Sequence, residues 1–153
     1  MLTLLLALAA VANAPNQKTS NQVCQVGRVA LQDLPAFNAN RSYASYYASP
    51  DTNRKDLLDV CPALRPLVPD GYPFADHEAR ARASTHVPVP GQSNPPAAEI
   101  FSIDPPRLSP DGKTALVTMR YECSGLCGGY TEFRYVRTPA GWHQEKPTVI
   151  VVS

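Results

Sequence analysis

Residues 114–137, TALVTMRYECSGLCGGYTEFRYVR, indicate the fold class, because they contain two alternating apolar–polar stretches joined by a short loop rich in cysteine and glycine. In the first stretch every second residue is apolar, as in a strand with one buried face: Ala115, Val117, Met119 and Tyr121. In the second stretch Phe133 and Tyr135 share one face, and charged residues occupy the other. A loop this short joins antiparallel strands, so the sequence predicts a β-hairpin.

Further strands are predicted on both sides of this hairpin. Residues 99–103 form a strand candidate, and the turn sequence Ser-Pro-Asp-Gly at 109–112 separates it from the hairpin. A fourth strand begins at Trp142, is interrupted by Pro147 and resumes over 148–152 as an edge strand, where proline is tolerated. Short connections make consecutive strands neighbours, so we expect an antiparallel β-meander of three to four strands.

The N-terminal half is predicted to contain short helices. Residues 15–22 are polar and suggest a flexible lead-in, and 23–37 suggest a short strand or a turn of helix. The chain then contains Tyr43, Tyr46 and Tyr47, whose spacing of three and four residues would place them on one face of a helix. A packing surface is the simpler interpretation of these tyrosines, and a binding patch is the alternative.

A second helix is predicted over 53–60, capped by Ser49 or Asp51, with Leu57, Leu58 and Cys61 directed inward. The following stretch, 62–98, holds eight prolines and is predicted to be a long loop with one short helix over 75–84. The predicted fold class is therefore α+β. Short N-terminal helices pack on a C-terminal antiparallel β-meander, in a single domain over 15–153 that disulfides stabilise.

Residues 1–14, MLTLLLALAAVANA, have the apolar run and the small residues of a signal peptide, with cleavage predicted after Ala12 or Ala14. No later stretch is apolar enough to cross a membrane, so we expect no integral membrane segment after signal removal. The predicted location is secreted or periplasmic. The net charge of +1, from 14 basic and 13 acidic residues, argues against nucleic acid as a partner.

Four cysteines in an exported chain predict two disulfides. We favour Cys24–Cys61 and Cys123–Cys127, while crossed pairings such as Cys24–Cys127 stay open. Cys123 and Cys127 also allow two functional interpretations. One is a redox-active dithiol, and the other is a zinc site completed by His143 or His86. The C-x₃-C spacing, the position between strands and the scattered histidines favour a structural disulfide instead.

The candidate ligand-contacting residues lie on and beside the hairpin: Arg120, Tyr121, Tyr130 and Arg134. The two arginines, with Glu122 and Glu132 beside them, form either cross-strand charge pairs or an anion-binding sheet face. Serine, histidine and aspartate are too dispersed to indicate a catalytic triad. The sequence therefore predicts no catalytic residue, no metal ligand and no cofactor, and it names no partner.

The C-terminal part resembles a family of uncharacterised secreted proteins, from Glu99 to the end of the chain. Their pattern is a D-G-x-x-A-L-V turn and strand, matched by residues 111–117, followed by a C-G-x-L-C-G loop, matched by 123–128 with Ser124 in place of a glycine. A later G-x-W ending is matched approximately by residues 141–142. The resemblance implies architecture and export, and it implies no activity.

Two hypotheses about function follow. The first is an exported, non-enzymatic binding or structural module. The second is a small hydrolase-like enzyme with its site between loop 62–98 and the Cys123–Cys127 hairpin, which would need a histidine or carboxylate with a partner in a concave pocket.

Overall fold

The computed structural model describes residues 17–38, 43–48, 55–84, 96–125 and 127–152, with the backbone alone for 146–152. The signal peptide predicted for 1–14 lies outside these residues, as do the helix caps predicted at Ser49 and Asp51. His86 also lies outside them.

The first element is a long helix, α1, at Gln17–Phe37. Its buried residues recur at helical spacing and form one apolar stripe: Val26, Gly27, Ala30, Leu31 and Leu34. The prediction of a flexible lead-in over 15–22 and a short strand or helical turn over 23–37 was wrong for the described residues. Glycine is favoured at position 27, although it disfavours helix, because α1 lies very close to Leu57 there. A Cβ atom at Gly27 would overlap the leucine side chain. Pro35 falls in the last turn, where its missing amide hydrogen removes one i→i−4 hydrogen bond close to the end of the helix.

The second element is a strand, β1, at Ala44–Tyr47, and it pairs in parallel with β2 at Ala98–Ile103. The helical face predicted for the three tyrosines was therefore wrong. A strand places neighbouring residues on opposite faces, so Tyr47 is buried in the main core while Tyr46 packs on the other side of the sheet. Because one pair of strands is parallel, the sheet is mixed and not the simple antiparallel meander that was predicted.

The predicted C-terminal strands are confirmed as neighbours in an antiparallel arrangement. They are β3 at Arg107–Leu108, β4 at Thr114–Cys123, β5 at Cys127–Thr138 and β6 at Gly141–Val152. Sheet order is β1-β2-β4-β5-β6, with β3 paired to β4 beside β2. The predicted turn at 109–112 is present, and Gly112 adopts a φ of 66° that favours glycine. Pro147 lies within β6, opposite Phe133, next to shifts in the β5–β6 register.

The parallel β1–β2 pair requires a crossover, and the described part of the segment between these strands contains three short helices. They are α2 at Leu57–Val60, a 3₁₀-helix at Pro62–Leu67 and α3 at His77–Ala83. The α3 helix was predicted, whereas the 3₁₀-helix was not. The start of α2 is capped by Asp56, whose side chain accepts from the amide of Leu58.

Helices cover the two faces of the sheet unequally. On one face, the α1 face, α1, α2 and the 3₁₀-helix enclose the main core around Phe101, Met119 and Tyr135. On the other, the α3 face, α3 packs its alanines against Ala98 and Ile100, near the β1–β2 end. The α3 face of β4 and β5 carries polar and charged residues, including Arg120, and this is where the candidate site lies.

Both favoured disulfides are present, and the crossed pairings are wrong. Cys24–Cys61 joins α1 to the end of α2, with 5.6 Å between the Cα atoms. Cys123–Cys127 closes the β4–β5 hairpin, with 5.5 Å between the Cα atoms. Among the described residues, no helix combines the length and the hydrophobicity needed to cross a membrane.

Candidate functional site

Three neighbouring depressions on the α3 face share one residue, Arg120. The Asp56 cleft, about 130 Å³, lies between α3 and the start of α2 and is lined by Asp56, Asp104 and Arg120 among others. The hairpin groove, about 490 Å³, runs from the end of α3 to the Cys123–Cys127 hairpin. The β3 cleft, about 220 Å³, extends from Asp104 to Arg107 and Glu132. Arg120 is therefore the point where these three depressions meet.

The guanidinium of Arg120 is held in one orientation. Its Nε donates to the two carboxylate oxygens of Asp104 at 3.1 and 3.0 Å, and its Nη2 donates to Oδ2 at 2.9 Å. The ring of Tyr130, directly across the β4–β5 pair, lies 5.0 Å from the guanidinium carbon. The Arg120 side chain is 31% exposed, and its Nη1 has no hydrogen-bond partner within the described ranges. A fixed donor next to an aromatic ring is suited to receive an anionic group.

The hairpin groove lies between the end of α3 and the hairpin, and glycines leave few side chains on its β5 side. The end of α3 supplies Ala83 and Ser84, and Gly128 and Gly129 leave the β5 side open. Ser124 fixes the hairpin to the helix, because its hydroxyl donates to the carbonyl of Arg82 at 2.8 Å and accepts from the amide of Ala98 at 3.0 Å. These two hydrogen bonds hold the hairpin against the end of α3, so the shape of the groove is part of the folded structure.

The Asp56 cleft contains a carboxyl group, that of Asp56, whose pKa is raised above its ordinary value. Partial burial raises the pKa of Asp56 from 3.8 to about 6, because desolvation disfavours the charged form. The amide of Leu58, the hydroxyl of Tyr47 and the nearby Arg65 oppose this shift, and the charge of Asp59 adds to it. The Oδ2 atom and the hydroxyl of Tyr47 are both buried without a well-aligned hydrogen bond, yet they are close enough for each to influence the other's ionisation. This carboxyl can therefore exchange a proton near neutral pH.

The structure brings together two of the four candidate ligand-contacting residues, Arg120 and Tyr130. Tyr121 lies on the α1 face, is 6% exposed and packs its ring against Phe101 and Phe37. Arg134 lines none of the three depressions, and its guanidinium lies 3.6 Å from the carboxylate of Glu145.

The predicted charge pairs of the hairpin are replaced by others. Arg120 pairs with Asp104, and Glu132 pairs with Arg107 at 2.6 Å. These partners come from the ends of β2 and β3, which lie beside β4. Sequence reasoning missed Asp104 because its proximity to Arg120 depends on the β2–β4 register, which the periodicity of either strand leaves open.

Of the histidines that the hydrolase hypothesis could use, the two that the structure describes line none of the three depressions. His77 begins α3 and His143 lies on β6, and both are exposed. Asp56 was also missed by sequence reasoning, and the signal that could have found it is its position as a helix cap before the apolar pair Leu57 and Leu58.

Comparison with protein-family models, with curated proteins and with solved structures found no match to this chain. Function must therefore be argued from the residues around Arg120 and from their chemistry.

Proposed function

We propose that this protein is an exported, non-enzymatic binding module that holds its ligand on the α3 face of the sheet, at Arg120. The observation that carries the proposal is the convergence of three depressions on this one guanidinium. Asp104 and Tyr130 fix its orientation before any ligand arrives, which lowers the entropy cost of binding.

The chemistry of the site favours a ligand with an anionic group and a flat apolar part. The Nη1 of Arg120 offers a charge-assisted hydrogen bond to a carboxylate or a phosphate. The ring of Tyr130 and the glycine floor of the hairpin groove offer a surface for a planar group. Lys55 and Arg80 line the Asp56 cleft and add positive charge on that side, against Asp56 and Glu122.

Export is supported by the disulfides. Two bonds joining all four cysteines are typical of chains that fold in an oxidising compartment, and such bonds are rare in the cytosol. The signal-peptide pattern of residues 1–14 supports the same location.

Titration of the ¹⁵N-labelled protein with sodium benzoate tests the proposal, because benzoate combines a carboxylate with a planar ring. We expect saturable shifts in the amide resonances of Gly128, Gly129 and Tyr130. An Arg120→Gln variant should bind about tenfold more weakly or worse, since a hydrogen bond to a charged group contributes ~1.5–3 kcal/mol.

The matched control is Arg134→Gln, which removes an arginine from the same face but from none of the depressions. This variant should bind benzoate as the unchanged protein does, and benzylamine, a cation with the same ring, should not bind. Equal shifts in the unchanged protein and in Arg120→Gln would overturn the proposal.

A second candidate function is the hydrolase-like enzyme, and one observation favours it. The Asp56 carboxyl, with its pKa raised to about 6, shares its cleft with Asp104 and Glu122. A general acid or base requires such a group near the operating pH. An Asp56→Asn variant is the direct test, because it removes the titrating proton and keeps a good helix cap.

A further inference from the structure

Three consecutive residues of β4, 120–122, line both the Asp56 cleft and the hairpin groove and so lie at the border between them. The ring of Tyr121 packs in the main core on the α1 face, so the side chains directed toward the two depressions are those of Arg120 and Glu122. Residues two apart on a strand point to the same side of the sheet, with their Cα atoms roughly 7 Å apart. A guanidinium and a carboxylate are therefore neighbours at this border.

The carboxylate of Glu122 is accessible to a ligand. Glu122 is exposed, and its side chain has no hydrogen bond or ion pair with the residues that the structure describes. Arg120, the next residue along the strand on the same face, is paired with Asp104. Gly128 is the register partner of Glu122 across the β4–β5 pair, and its lack of a side chain leaves space beside the carboxylate, within the hairpin groove.

The charges around the Asp56 cleft are balanced. Among the described residues that line it, three are basic and three are acidic: Lys55, Arg80, Arg120, Asp56, Asp104 and Glu122. A ligand with a single negative charge is attracted by the basic residues and repelled by the acidic ones. A zwitterion carries both charges, so it can place each of them next to its complement.

We propose that the ligand held at Arg120 is an α-amino acid with an aromatic side chain, whose carboxylate binds Arg120 and whose ammonium group binds Glu122. This inference rests on the proposed binding function and names the class of its ligand. In an α-amino acid one carbon separates the two charged groups, and a hydrogen bond of about 2.9 Å on each side lets them reach two neighbouring side chains of one strand. The aromatic ring then lies in the hairpin groove, over Gly128 and beside Tyr130.

A ligand with one charged group is less well suited to this border. A carboxylate without an amine meets Arg120 but brings its negative charge close to Glu122, and an amine without a carboxylate meets Glu122 but brings its positive charge close to Arg120. Like charges at such distances repel, which weakens binding. The first residue of a peptide lacks the free carboxylate and the last residue lacks the free amine, so the charges favour a free amino acid over a peptide.

Titration of the ¹⁵N-labelled full chain with L-phenylalanine and with 3-phenylpropionate tests the inference, because the second compound lacks only the amine. We expect phenylalanine to shift the amide resonances of Glu122 and Gly128 and to displace benzoate. It should bind about tenfold more tightly than 3-phenylpropionate, since the amine adds a hydrogen bond between charged groups. Glu122→Gln should remove this preference by weakening the binding of phenylalanine without weakening that of 3-phenylpropionate, and Glu122→Lys should reverse it.

The matched control is Glu145→Gln, which removes a carboxylate that pairs with Arg134 and lines none of the three depressions. This variant should keep the full preference for phenylalanine. Equal affinities for phenylalanine and 3-phenylpropionate in the unchanged protein, or an undiminished preference in Glu122→Gln, would overturn the assignment of an amino acid. Binding of benzoate that depends on Arg120 would then still support the proposed function, whereas its absence would overturn both, so the two failures are distinguishable.

Discussion

Asp56 combines two roles that usually occur apart in a protein. As the cap of α2 it accepts a hydrogen bond from the amide of Leu58, which stabilises the helix end. As a partly buried group near the charge of Asp59 it has a raised pKa and holds its proton more tightly than an exposed aspartate does, although the hydroxyl of Tyr47 opposes the shift. The same side chain therefore links the stability of the fold to pH and supplies the Asp56 cleft with a titrating group.

We predict that Asp56→Asn reduces the dependence of stability on pH between 3.8 and about 6. The folded state binds this proton more tightly than the unfolded state, so its contribution to the free energy of unfolding is fully present below pH 3.8. That contribution is lost as the pH rises through about 6. Asparagine keeps the cap and removes the titration, and urea unfolding at a series of pH values measures the difference.

Asp76→Asn is the control, because Asp76 caps α3 in the same way but is exposed. Equal pH dependence in the unchanged protein and in Asp56→Asn would show that this carboxyl does not titrate as described. It would also remove the observation that favours the hydrolase-like function.

The helix α1 forms because of its tertiary packing, against the local preferences of several of its residues. Its sequence has polar residues at the start, glycine in the middle and proline near the end, which individually disfavour helix. The stripe from Val26 to Leu34 buries against the sheet, and this burial outweighs those local preferences. The Cys24–Cys61 bond then joins the helix to α2 on the same face.

We predict that the two disulfides contribute unequally to stability. Replacing both Cys24 and Cys61 by alanine should lower the free energy of unfolding by on the order of 4 kcal/mol, because that bond closes a long loop. Replacing both Cys123 and Cys127 should cost roughly 2 kcal/mol, since their loop is short. Urea unfolding of both double variants measures the losses, and a larger loss for the hairpin pair would contradict this assignment.

In the described part of the molecule, helices cover one face of the sheet more extensively than the other. The α1 face holds the main core, whereas on the other face α3 is the described helix, and it packs on the β1–β2 end. The groove exists because α3 stops at Ala83 while the sheet continues to the hairpin. The site is therefore a consequence of incomplete coverage rather than of a separate domain.

We predict that amide hydrogen exchange follows this layout. The amides of β4 should exchange most slowly, because β4 pairs with β2 and β3 on one side and β5 on the other. The amides of β1 should exchange faster, since this strand has four residues and, within the described residues, is bridged on the side away from β2 at Tyr47 alone. Exchange measured by mass spectrometry on peptides of both strands checks the order, and equal protection would contradict it.

Local patterns in the chain were sufficient for the hairpin, the turn at 109–112 and the helix over 75–84. Each of these features depends on residues close in sequence or on strict alternation of apolar and polar residues. For such features the local conformational preference of the sequence agrees with the structure. The same patterns failed for Tyr43, Tyr46 and Tyr47, because three residues at helical spacing are also compatible with a strand.

The tertiary structure alone established the parallel β1–β2 pair and the Asp104–Arg120 pair. The reason is that each depends on strand register, and a shift of one residue would move every side chain to the opposite face. Alternation reveals that a strand has two faces, but it cannot reveal which residue of a distant strand lies opposite. The candidate site is composed of such cross-strand neighbours, so it became visible only when the strands were paired.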